Sequence, residues 1–541
     1  MIRQVSCAFI LAAASPAWAD APDWVATEFF RAPEGAAPGA ALSATLALTT
    51  TEMTVEADPA DKMIRTPWAW WGLFDFLAAQ DPAGAAPLMQ LDAALFPGLP
   101  LEVVGTADGA LIPAERGIIR TPVAKRSASF WEFIASPGRT WALTEADHTG
   151  WSRAAFPISL VQSQEGEAWI GLASFDYKGS ETTPLRVQFS SMSAGGFIFW
   201  DPDFDVKAWG EVPLSLAPSK ADAAAVAAVF ATERSGLLPL RPLSEFRPEM
   251  EKAAAALDPE GTLAIAVLSD GTLYMNPVET PFGSHPYPQD MRFGVWSVTK
   301  SLIPGMAAMR LSQKYGPDFL DTSIVSYFRE GKEFGYVDNA ARARWQGVTI
   351  RHALNMMTGM GAVDYNVNWE SGNLNTYQWS YSYALADQIR YYFNVGPNPH
   401  VTGPGQKRAY IDQDMWIATL AMERFLQSKE GAGATILKML ETEVYDAIGA
   451  NHFAAGTGYT ETGAPGFPFA AWGALPTIDI LARAGALVAN GGKAPDGTQI
   501  IDTSASGRTS QPRLRRGLLA PDQRHRGQIR HRAIHERGGR Q

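Results

Sequence analysis

Cysteine is almost absent from this sequence of 541 residues: the single one, Cys7, lies inside an apolar stretch near the N-terminus. No disulfide can form within the chain, so burial and hydrogen bonding must hold it together. Also lacking is any run of roughly 18 unbroken apolar residues, the length a membrane-crossing helix requires. Histidine is sparse, and His148, His285, His352, His400 and His452 are scattered without a His-Glu-x-x-His pattern. The usual signatures of a metallohydrolase are therefore missing, and no metal or other cofactor is expected. No Walker or dinucleotide glycine loop stands in its proper context. Nor is there the Gly-x-Ser-x-Gly elbow of an α/β-hydrolase.

What is present is the composition of a folded protein, 46% hydrophobic and 19% charged, long enough for two large domains. The net charge of -11 conceals an asymmetry. Residues 508–541 hold ten Arg, no Lys and two acids, or +8, which leaves -19 on the rest. An acidic body repels phosphates, so no nucleic-acid partner is expected. At the other end, Arg3, the apolar run Val5 to Ala14 and the small-residue exit Ala17-Trp18-Ala19 stand in the order of a secretory signal peptide. Cleavage is expected after Ala19, giving a periplasmic or secreted protein without a membrane anchor; the oligomeric state stays open.

From Asp20 to about Ser235 short apolar runs such as Ala168–Ala173 and Gly195–Trp200, divided by Gly, Ser and Pro, predict a mainly β accessory domain over 20–235. Ala223–Glu233 reads as a helix. Gly236, Pro239, Pro242 and Pro248 then mark a linker over 236–248. A helix (Glu249–Leu257) and two strands (Leu263–Leu268, Thr272–Met275) joined at Asp270-Gly271 open a second domain, 249–506.

This second domain carries the chemistry. In Phe293-Gly294-Val295-Trp296-Ser297-Val298-Thr299-Lys300-Ser301, Ser297 stands at a helix start, and Lys300, three residues on, shares its face. A hydroxyl is a poor nucleophile until a base takes its proton, a task open to a lysine in a cleft. Pro304 inside the following helix is expected to kink it or be absorbed locally. Two further segments follow in order. Val348–Met360, with its Met356-Met357-Thr358-Gly359 turn, resembles the segment after the active-site helix of class C β-lactamases and their esterase and amidase relatives. Pro404–Asp412 resembles the same family's Pro-Gly-x-x-x-x-Tyr-x-Asn stretch. Ala471–Thr477 and Leu481–Gly492 look like its glycine turn and closing helix.

The resemblance implies a β-lactamase-related serine hydrolase of the penicillin-binding-protein or 6-aminohexanoate-oligomer hydrolase kind, in an α+β fold of antiparallel sheet flanked by helices plus a helical subdomain. It implies catalytic roles for Ser297, Lys300 and Tyr410, and a substrate-facing position for Asp412. Asp412 departs from the family's Asn: an amide donor is lost and a charge gained, which weakens the case for a β-lactam. No strand bearing Lys-Thr-Gly or His-x-Gly is found after residue 500, since His525-Arg526-Gly527 lacks strand periodicity. The C-terminal strands are therefore expected to be missing, and 507–541 is expected to be disordered or derived from a shifted reading frame. The expected function is hydrolysis, through an acyl-enzyme, of a small ester, oligoamide, peptide or β-lactam-like molecule. The alternative is a non-catalytic periplasmic binding protein or an inactive truncated relative.

Overall fold

The computed structural model of the chain describes residues 7–11, 24–58, 92–120, 128–163, 167–191, 205–255, 263–328, 339–360, 385–394, 403–460 and 465–505. The expected strand Gly195–Trp200 and the Arg-rich tail lie outside these residues. In the first half, apolar side chains recur at every second position, as in Ala44, Leu46 and Leu48, which are buried while their neighbours are not. That period gives a strand one apolar face. One strand at the N-terminus, β1 (Cys7–Leu11), belongs to a different sheet, described below. Among the described residues ten strands form the main path of the large sheet, and the short strands Glu132–Ala135 and Glu181–Thr182 pair alongside it: β2 (Ser43–Leu48), β3 (Thr54–Asp58), β4 (Leu101–Gly105), β5 (Ala110–Pro113), β6 (Gly138–Ala142), β7 (Ser152–Gln162), β8 (Glu167–Lys178), β9 (Leu185–Ser191), β10 (Asp205–Val212) and β11 (Leu214–Pro218). Their order across it is β11-β2-β4-β5-β6-β7-β8-β9-β10-β3, all antiparallel.

Strand β7 is buried at all but one position, so both of its faces are covered. Phe156, Ile158 and Leu160 enter a core with Phe96, Phe133 and Phe189. On the opposite face Val161 joins Ile134 and Ala168 against Ala454 and Leu475 of the second half. The sheet thus backs directly onto the region that carries Ser297. Arg120 adds a polar tie, donating to Thr457 Oγ1 at 2.7 Å while paired with Glu132 at 2.9 Å.

Helix α1 (Ala223–Gly236) is capped by Asp222, whose carboxylate accepts from the Ala224 and Ala225 N–H groups. The Pro-punctuated stretch expected as a linker contributes β12 (Leu240–Pro242), and α2 (Pro248–Ala255) follows. Then come β13 (Ala264–Ser269) and β14 (Thr272–Met275), joined at Asp270 and Gly271 with φ of 47° and 75°. Two positive φ values in a two-residue loop suit the twist of the hairpin. The small sheet runs β1-β13-β14-β12, so the segment expected as a leader supplies an edge strand antiparallel to β13. A second core gathers Ala264, Ala266 and Leu273 with α3 (Met306–Tyr315), α4 (Ile350–Leu354), α5 (Leu385–Asn394), α6 (Asp412–Glu430) and α7 (Ile478–Ala489). The fold is α+β. Among the described residues no helix is long and apolar enough to cross a membrane.

Candidate active site

Buried Val295 leads into Trp296, whose φ of +41° lies in the left-handed region. A non-glycine residue there costs on the order of 1–3 kcal/mol, and such strain persists only where the surroundings enforce it. The bend brings Ser297 to the surface in the 3₁₀ turn Trp296–Val298. Pro304 is absorbed locally: Ser301–Gly305 forms a π turn in which the Met306 N–H reaches the Ser301 carbonyl, five residues back. Such i→i+5 bonding steps over the N–H that proline lacks. The Tyr445 hydroxyl also donates to the Leu302 carbonyl at 2.5 Å.

Lys300 Nζ donates to Ser297 Oγ at 2.8 Å and to the Ala471 carbonyl at 2.9 Å, and stands 2.7 Å from Asp412 Oδ1 as an ion pair. The Tyr410 hydroxyl lies 2.7 Å from Ser297 Oγ, and its ring centroid is 4.9 Å from Lys300 Nζ. The four residues singled out in the sequence, Ser297, Lys300, Tyr410 and Asp412, therefore meet at one point. Tyr410 is 36% exposed, so the cluster opens to solvent.

Three local devices hold these segments in place. Helix α4 ends in a Schellman turn: Met357 N–H bonds the His352 carbonyl and Met356 N–H the Ala353 carbonyl, with Met356 at φ 54°. The turn aims the Met356 and Met357 carbonyls at the next segment, where they accept from Ala409 N–H (2.9 Å) and Gly405 N–H (2.7 Å). Tyr410 hangs from that pair of bonds. Gly359 makes close approach possible, because a Cβ there would sit 2.4 Å from the Gly403 carbonyl carbon. Finally, Thr358 Oγ1 donates to both Asp414 oxygens, at 3.1 and 3.0 Å. Asp414 is 1% exposed beside Tyr392; burial pushes both groups well above their usual titration ranges, and the Asp414 charge adds to the effect on Tyr392.

Asp412 and Asp414 share the first turn of α6 yet face opposite ways, since two residues span about 200° of helix. Asp412 faces Lys300, and Asp414 faces the core. Sequence reasoning missed Asp414, Thr358 and Thr299. Thr299 is fully buried and its Oγ1 accepts from Ala474 N–H at 2.9 Å, locking the Ala471–Ala474 turn to the Ser297 helix. The available signal was a polar residue repeated at short range in each motif: Thr beside Lys300, Thr in Met-Met-Thr-Gly, a second Asp after Asp412. Among the described residues no group of three or more His, Cys, Asp or Glu side chains converges as metal ligands would.

The family model described as Beta-lactamase matches residues 252–524, just over half of the chain and all four segments of the cluster. No curated protein matches it.

Proposed function

The chain belongs to the Beta-lactamase family and is a hydrolase of the serine type, and from that premise we propose that Ser297 attacks an ester or amide carbonyl to form an acyl-enzyme. The observation that carries this reading is the convergence of Lys300 Nζ and Tyr410 Oη on Ser297 Oγ, at 2.8 and 2.7 Å. As an ammonium paired with Asp412 and bonded to Ala471, Lys300 has no lone pair to offer. Tyr410, reacting as the phenolate, is then the group within reach of the serine proton. As the Oγ–carbon bond forms, that proton passes to Tyr410 Oη and from there to the departing alcohol or amine. Water next attacks the acyl carbonyl, giving a proton to Tyr410; the carbon–Oγ bond breaks and Ser297 recovers its proton.

Asp412 narrows the substrate. A carboxylate cannot donate to a substrate carbonyl where an amide would, which favours small esters and oligoamides over β-lactams. Periplasmic or secreted location rests on the Met1–Ala19 pattern. A fluorophosphonate and a labelled penicillin, each followed by peptide mapping, test the proposal. The expected outcome is phosphonylation at Ser297, lost in Ser297→Ala, with weaker penicillin labelling. A folded chain that takes up no fluorophosphonate would be a binding protein, not an enzyme.

A further inference from the structure

Strand β13 is bonded on both edges, and the two edges have different owners. On one side the Ile265 carbonyl accepts from Asn276 N–H at 3.2 Å, and the Ile265 N–H donates to Asn276 Oδ1 at 2.5 Å. Successive residues of an antiparallel strand turn their backbone groups to opposite sides. Ile265, Val267 and Ser269 therefore serve β14, in register with Val267↔Tyr274 and Ser269↔Thr272. Ala264, Ala266 and Leu268 face the other way, toward Leu11, Phe9 and Cys7 of β1. Ala264 and Ala266 are each 1% exposed and belong to the second core, and α7 lies against both β1 and β13. This edge is thus walled in on its flanks while its backbone bonds are met by a segment more than 250 residues away in sequence.

We infer that β13 is a strand-accepting edge for five residues of extended apolar chain, and that its occupant is Cys7–Leu11 of this same chain. The segment with the pattern of an export leader is then also a strand of the hydrolase region. While it stays attached the edge of β13 is covered. Cleavage after Ala19 opens a ladder of three N–H and three C=O groups, and the released segment, or a copy of it, fits that ladder in antiparallel register. An uncovered edge of this kind is a template for pairing with other chains.

The alternation of β13 supplies its own control in amide hydrogen exchange. In the full chain all of Ala264, Ala266, Val267, Leu268 and Ser269 should exchange slowly. In a chain beginning at Asp20, Ala264, Ala266 and Leu268 should exchange at least about 100-fold faster while Val267 and Ser269 stay slow. A synthetic peptide of residues 5–13 added in trans should restore slow exchange at those three. Should the shortened chain fail to fold, Phe9→Pro in the full chain provides the same readout, because it removes the ladder donor opposite Ala266. Unchanged protection at Ala264, Ala266 and Leu268 in the shortened chain, or in Phe9→Pro where that variant has to stand in, overturns the inference. The readout does not involve Ser297, so it stands or falls apart from the proposed chemistry.

Discussion

In the large sheet, Phe96 and Phe133 stack at 5.9 Å between ring centroids, with Phe156, Phe175 and Phe189 in the same core. Around Ser297 the decisive contacts are single hydrogen bonds between segments far apart in the chain: Lys300 to Ala471, Thr299 to Ala474, Ala409 to Met356, Thr358 to Asp414. The sheet is held by burial, which has no direction and scales with area. The site is held by bonds that fail outside a narrow range of distance and angle. Loss of one contact in the sheet should therefore be felt as stability, whereas one lost at the site should be felt as geometry and rate.

Four experiments sharpen or break that contrast. Tyr410→Phe keeps the ring and removes the proposed proton carrier; hydrolysis should fall by about 10² to 10⁴ with the melting temperature unchanged. An unaltered rate would remove Tyr410 from the mechanism. Phe156→Ala should do the opposite, costing about 3–5 kcal/mol in denaturant melts while the remaining folded enzyme keeps its kcat. A kcat loss at low temperature would mean that the sheet shapes the site after all.

Glu423 tests pH. Burial raises its carboxyl from 4.5 to about 7, the backbone bond from Ile436 N–H only partly offsetting this. A raised folded value means that its contribution to stability is complete below pH about 4.5 and is lost as pH rises through about 7. At full ionisation the loss is about 3 kcal/mol. Glu423→Gln should flatten the fall in stability between pH 5 and 8; an unchanged slope would show that other groups set it. Thr358→Val leaves buried Asp414 without its hydroxyl donor at about 1–3 kcal/mol. Its rate should nonetheless drop more than that of any equally destabilised variant in the sheet core, since α6 and the Tyr410 segment lose their tie. Equal rates for the two kinds of variant would end the distinction drawn between the regions.

Sequence alone pointed to a strand-rich first half, a helix from Ala223, the Asp270-Gly271 hairpin and Ser297 with Lys300, and the family resemblance added Tyr410 and Asp412. These are local: a strand's alternation, a turn's need for positive φ and a motif's spacing are complete within a dozen residues. Tertiary structure decided the rest. That Pro304 sits in a π turn depends on the helix around it and not on the proline. That two aspartates in one helical turn serve a site and a core depends on which neighbours each one meets. Leader-like residues can extend a sheet only because the edge of β13 comes to lie beside them. Contacts between residues more than a hundred positions apart leave no periodic trace in a single sequence, since each partner's identity is compatible with many others until the fold brings one of them within 3 Å.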